Sequence, residues 1–388
     1  MVAATCIHNA TILTGFAMMK NCAVLLRQNK IVDVFNEDRF LQKKFRADTE
    51  IIDAKGAYII PGMIDTHIHG IGGYGTEDCS VKSILGMSEK LLEFGVTSFI
   101  PTLYAMPREK MLKGIRAIVG AMGKEKGARI LGMHLEGPFI SPERLGVQLP
   151  ESLSAVNLDY MDELWEASEG HIINMTVAPE LKHMRELALN CLAKGIVLQA
   201  GHTNATYKQM LEGMQARIFH VTHLFNAMSR MHHRDPGAVG AVFIHPELSC
   251  EIIADGIHIH PDIIKFLLNC KTLDKVVLVT DSLKPTKQDH LPLVANGDEV
   301  YLDKCFYRKS DNVIAGSALT MIDSVRNIVS YGFRLEEAVH MASTNPARIM
   351  KQEHLGVVAP GYDADLVMID KDLNVIGTIV QGKFFQRG

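Results

Sequence analysis

The residues most able to do chemistry are a scattered set of imidazoles and carboxylates. Asp65, His67 and His69 end the apolar run "YIIPGMIDTHIHG". Glu136 stands in "HLEGPF", His202 in "GHTNAT", His223 in "THLFNAM" and Asp281 in "VTDS". Residues two apart on an extended strand point the same way, so Asp65, His67 and His69 are expected to share one face. Imidazole and carboxylate together form the donor set of zinc, iron or manganese sites. A divalent ion lowers the pKa of a water to about 7. A carboxylate such as Asp281 can take the proton released on attack and pass it to a leaving group. That chemistry is hydrolysis. Taken singly, each residue has a plainer role: Glu136 or Asp281 as a helix cap, His202 as a turn residue, His220 as a core histidine. Their conjunction at strand ends points to a metal site.

The elements that must position them are strand-like runs at 62–66, 96–102, 128–136, 171–180, 195–202, 216–223, 248–256 and 275–281. Between them lie stretches such as "SVKSILGMSEKLLEFG" and "ATYKQMLEGMQ", with helical apolar spacing. The alternation predicts an α/β protein with a (β/α)8 barrel; pattern alone leaves a doubly wound sheet open. In a barrel the carboxyl ends of the strands converge on one face, which would bring His67, His69, Glu136, His202, His223 and Asp281 together. Residues 297–316 read as an inserted hairpin, followed by two helices within 319–350. Both chain ends are β-like. They are expected to form one small β-sandwich domain from 1–58 and 351–388, beside a catalytic barrel at 59–350.

The formal charge of −4 gives no global attraction to nucleic acid or anionic membrane. Seven scattered cysteines without CxxC spacing argue against a disulfide framework or a thiolate zinc site. The first residues show no signal-peptide pattern, and no apolar run is long enough to span a bilayer. The expectation is a cytoplasmic protein.

The motifs resemble the amidohydrolase superfamily, whose members are metal-dependent hydrolases on this barrel. "PGMIDTHIHG" matches the first-strand signature and "GYDADLVMID" the closing β segment. More narrowly, "HLEGPFISPERLG", "GHTNAT", "THLFNAM", "DPGAVGA", "IIADGIHIHP", "LVTDS" and "IAGSALTM" are similar to the N-acetylglucosamine-6-phosphate deacetylase family, in its order and over essentially the whole chain.

The resemblance implies one or two divalent ions per subunit, with zinc favoured and iron or manganese as alternatives. Glu136, standing where many relatives carry a carbamylated lysine, would ligate with His202 and His223. His67 and His69 would build a second position, with Asp281 as ligand and acid/base. Asn226 and the backbone of Ala227 match sugar-phosphate contacts. Arg234 matches an arginine that reaches the neighbouring subunit's phosphate, which implies a homodimer. His258 matches a sugar contact, and Ile314, Ala315 and Gly316 supply a loop over the sugar. Val147 and Gln148 occupy the segment where many relatives carry a substrate-contacting histidine. Gln148 can donate a hydrogen bond but cannot carry positive charge.

The implied activity is hydrolysis of N-acetylglucosamine 6-phosphate to glucosamine 6-phosphate and acetate, in amino-sugar catabolism or recycling. The alternatives are the galactosamine epimer, a cyclic-amide hydrolase of the same superfamily, and a catalytically inactive scaffold.

Overall fold

In the computed structural model, which describes residues 4–386, the central run of strands forms a nearly closed parallel barrel. Its strands are β1 (Met63–Ile68), β2 (Val96–Tyr104), β3 (Met133–Glu136), β4 (Ile172–Val177), β5 (Val197–Ala200), β6 (His220–Val221), β7 (Ser249–Ile253) and β8 (Val276–Val279). They pair in chain order. The Asp281 amide, just past β8, donates to the His67 carbonyl of β1 at 2.9 Å and spans the remaining seam. The architecture is therefore the barrel and not the doubly wound sheet. Strands covered on both faces need apolar or hydrogen-bonded side chains throughout. Accordingly every residue of β1, β2, β3, β7 and β8 is buried.

The run expected over 128–136 is two pieces, Arg129–Ile130 and Met133–Glu136. Gly132 interrupts them at φ +156°, and a Cβ there would sit 2.8 Å from the His171 carbonyl. Helices between the strands start where the sequence caps them. Ser80 accepts from the Ser83 amide ahead of Val81–Leu91, and Thr206 with Gln209 forms a capping box ahead of Tyr207–Gln215.

Strands from both chain ends form a second, eight-stranded sheet. Tyr58–Pro61 pairs with Ala4–Leu13 on one side and Leu366–Ile369 on the other, so this sheet runs through Pro61 before the chain enters the barrel. The sheet curls until Ile31 and Ala364 donate across the gap to Tyr362 and Asn29, enclosing Ile7, Ile12, Val24, Leu26, Ile59 and Leu366. Arg129 fastens it to the barrel by donating from Nη1 to Asp363 and Asp365 at 2.8 and 2.9 Å. The inserted segment is a small antiparallel sheet that ends in Ile314–Gly316. The Ser317 amide donates to the Asp281 carbonyl, which brings this flap over the mouth of β8.

No helix among the described residues is long and apolar enough to cross a membrane.

Candidate metal centre and active site

The expected ligands meet at the carboxyl ends of the strands. Glu136 Oε1 lies 3.1 Å from His202 Nε2, 3.0 Å from His223 Nε2 and 3.3 Å from His67 Nε2. Its other oxygen, Oε2, lies 3.5 Å from His69 Nε2. Asp281 Oδ1 is 3.3 Å from His69 Nε2 and 3.6 Å from His67 Nε2. Two groups result, Glu136 with His202 and His223, and His67 with His69 and Asp281. Glu136 touches both.

The hydrogen bonds outside the centre aim the rings. His202 Nδ1 faces the Arg144 carbonyl at 2.9 Å and His69 Nδ1 the Thr102 carbonyl at 3.1 Å. A carbonyl only accepts, so both Nδ1 atoms carry a proton, which leaves each Nε2 to offer its lone pair to a cation when one is bound. Tyr104 stacks on His69 with ring centroids 3.7 Å apart.

The donor set fits a divalent cation. His202 Nε2 and His223 Nε2 are only 3.2 Å apart beside one carboxylate oxygen. His67 Nε2, which faces both carboxylates, is buried without a hydrogen-bond partner among the described residues. Buried polar atoms normally find partners, and a cation gathers such nitrogens.

Charge is concentrated here. Burial pushes the Glu136 carboxyl up, but His202, His223 and His67 outweigh it and hold it well below the carboxylate range. Burial likewise opposes ionisation of Asp281, and His69 with His67 overcomes it. Both acids are anionic at neutral pH.

Backbone strain collects at the same residues. His202, His223, Ala227 and Asp281 have φ of +44°, +25°, +49° and +48°, a region non-glycine residues rarely adopt. His202, His223 and Asp281 each lie two residues past a barrel strand and Ala227 farther along the loop after His220–Val221, where the turns swing a side chain or amide over the barrel mouth.

A cavity of about 440 Å3 opens above the centre. His69, Glu136, His202, His223 and Asp281 form its floor. Val147, Gln148, Asn226, Ala227 and His258 line its sides, and Ile314, Ala315 and Gly316 cover it. His258 Nδ1 is held by Asp255 Oδ2 at 2.6 Å. Burial lowers the imidazole's pKa, but Asp255 outweighs it and the value rises above the ordinary one.

One residue expected on the same face sits differently. Asp65 does not join His67 and His69. Its Oδ2 accepts from Thr280 Oγ1 at 2.6 Å, and burial pushes its pKa up to about 7. The pairing of β1 with β2 slips between Asp65 and Ile68, and that bulge breaks strict alternation. Arg234 is exposed, with Nη1 2.7 Å from His233 Nε2, and lies outside the cavity.

Sequence reasoning missed Tyr104, Gly146, Arg230 and Val313, which also line the cavity. It also missed Glu251 beneath it. Arg230 carries a signal, as an arginine four residues past Asn226 in the segment already expected to hold the sugar phosphate. Glu251, in the apolar run "LSCEIIADG", carries one too, because a carboxylate inside a buried strand must have a partner.

The chain belongs to the amidohydrolase family, whose profile matches residues 58–385. Within it, the chain is 33% identical over 383 residues to N-acetylglucosamine-6-phosphate deacetylase of Bacillus subtilis (strain 168), covering 97% of this chain and 96% of that one. It superposes on the crystal structure of N-acetylglucosamine-6-phosphate deacetylase from Pasteurella multocida with a TM-score of 0.92, at 30% identity and covering 99% and 100% of the two chains. It is also 30% identical over 328 residues to N-acetylgalactosamine-6-phosphate deacetylase of Escherichia coli O157:H7, covering 84% of this chain and 87% of that one.

Proposed function

We propose that this protein hydrolyses N-acetylglucosamine 6-phosphate to glucosamine 6-phosphate and acetate. The observation that carries the reading is Glu136, shared between two groups of inward-facing imidazoles at the floor of a sugar-sized cavity. The deacetylase names of near-full-length relatives supply the substrate.

A divalent cation held by Glu136, His202 and His223, with a second at His67, His69 and Asp281, would supply Lewis acidity for water and for the acetyl carbonyl. Zinc is the favoured ion; iron and manganese take the same donors. Asp281, anionic and 14% exposed to the cavity, takes the proton of the attacking water at Oδ2 or Oδ1 and returns it to the departing amine. His258, tethered by Asp255, orients the sugar, and the Ile314–Gly316 flap excludes water from it.

For the phosphate we assign Asn226, the Ala227 backbone and Arg230, an arginine at the cavity mouth with no ion pair among the described residues. Arg234 serves the neighbouring subunit's cavity in a homodimer. It projects from an exposed loop and has no place in its own cavity. A guanidinium suits a phosphate dianion through paired N–H donors. Seven free cysteines, six of them buried, suit a reducing cytoplasm.

The test compares kcat/KM for acetate release from N-acetylglucosamine 6-phosphate, its galactosamine epimer and unphosphorylated N-acetylglucosamine. The reading expects the first to lead. A lead by the epimer would reassign the substrate, and equal rates with the unphosphorylated sugar would remove the phosphate site.

A further inference from the structure

The interior of the barrel beneath the cavity is polar where such barrels are usually packed with branched apolar side chains. His134 Nε2 contacts Thr176 Oγ1 at 2.8 Å, Thr176 contacts Thr222, and Gln199 Nε2 donates to Thr222 Oγ1. At the centre of this layer is Glu251 on β7, with no solvent exposure.

Glu251 Oε2 lies 3.0 Å from His67 Nδ1 and accepts the backbone amide of His223 at 3.3 Å. Its Oε1 accepts from Gln199 Nε2 at 3.2 Å and has His220 Nε2 at 3.7 Å. One carboxylate oxygen thus touches a residue from each ligand group. It does not line the cavity, so substrate cannot reach it.

We propose that Glu251 is a positioning residue that builds the metal centre from below. By accepting the Nδ1 proton of His67 it fixes the tautomer in which Nε2 is a lone pair aimed at Glu136 and Asp281. By accepting the His223 amide with the same oxygen it holds the left-handed turn on which His223 is carried. The other two ligand rings that are anchored through Nδ1, His69 and His202, rest on neutral carbonyls. His67 alone rests on a carboxylate, which makes its Nε2 the more basic donor. Gln199 donates to the second oxygen and keeps the carboxylate from rotating away.

The inference rests on the metal-dependent reading, and its test is metal binding by the folded protein rather than turnover. Full-length wild type, E251Q and E251D are stripped of metal, equilibrated across chelator-buffered free zinc concentrations, and assayed for zinc per chain. The thermal midpoint of each metal-free protein is measured alongside. E251Q keeps the side chain's size but cannot satisfy donors on both sides of it. E251D keeps the charge but withdraws it by one methylene.

The expected result is a metal-free midpoint close to wild type, with half-loading of at least one zinc shifted to about 10–100-fold higher free zinc. Zinc loading by both variants at wild-type concentrations would overturn the proposal. Loss of fold in both would also overturn it, by making Glu251 a residue of barrel stability. Wild type that takes up no zinc, iron or manganese would overturn the metal reading itself, which separates that failure from a failure of Glu251.

Discussion

Gln148 Nε2 donates to Glu136 Oε2 at 2.6 Å, while Gln148 Oε1 accepts the Ala105 amide at 3.0 Å. A backbone N–H can only donate, so the orientation of this amide is fixed without ambiguity. Gln148 therefore holds the shared carboxylate in place, a task beyond the substrate contact its position suggests. Q148A would leave the Ala105 amide unpaired and Glu136 free to turn, at a cost of about 1–3 kcal/mol. The expected outcome is a lower thermal midpoint together with weaker metal retention. Unchanged zinc loading and acetate release would leave Gln148 without this role.

In the proposed reaction Asp281 moves the proton, and its replacement separates that task from folding. D281N preserves the shape and the backbone hydrogen bond to His67. It is expected to lower kcat by about 10²–10⁴-fold with KM little changed. Near-normal turnover in folded, metal-loaded D281N would reassign the acid/base.

Arg230 and Arg234 act on phosphate from different chains in this account. R230A is expected to raise KM for the phosphorylated sugar, by a loss of about 1.5–3 kcal/mol for a charge-assisted bond, and to leave kcat nearly unchanged. Mixing R234A subunits with subunits carrying D281N should yield more activity than either pure variant, because in each hybrid the R234A subunit keeps its own Asp281 and receives its partner's intact arginine, whereas an intra-chain arrangement would leave both sites of the hybrid incomplete. Steady-state kinetics on the pure variants and on the mixtures read out both expectations.

The His258 and Asp255 pair makes a prediction about pH. The folded His258 pKa lies above the ordinary 6.5, with Asp255 overcoming burial. A raised value means that the imidazolium's contribution is complete below pH 6.5 and is lost as pH rises through the folded value. KM for the phosphorylated sugar should therefore climb on the alkaline side. D255N should move that climb toward lower pH, and an unmoved KM profile would contradict the assignment.

Much of this was legible in the sequence because buried strands declare themselves. "VTSFIPTLY" is apolar or small at nearly every position and is buried at every one, as a strand covered on both faces must be. His202, His223 and Asp281 stood at strand ends and were found there. The bulge that separates Asp65 from His67 depends on how β1 pairs with a strand thirty residues later, and no local pattern encodes that register. Glu251 was passed over for a related reason. Its partners His67, Gln199 and His220 come from three other strands, and only barrel closure brings them to it. Arg230 and Arg234 are alike in composition and differ only in the direction the loop gives them.

The most direct measurement of the central claim is acetate release from N-acetylglucosamine 6-phosphate by protein stripped of metal and then reloaded with zinc, iron or manganese. The account predicts that release is abolished by stripping and returns with the metal, in proportion to the metal bound per chain. Fully metal-loaded, folded protein that releases no acetate from this sugar would contradict it.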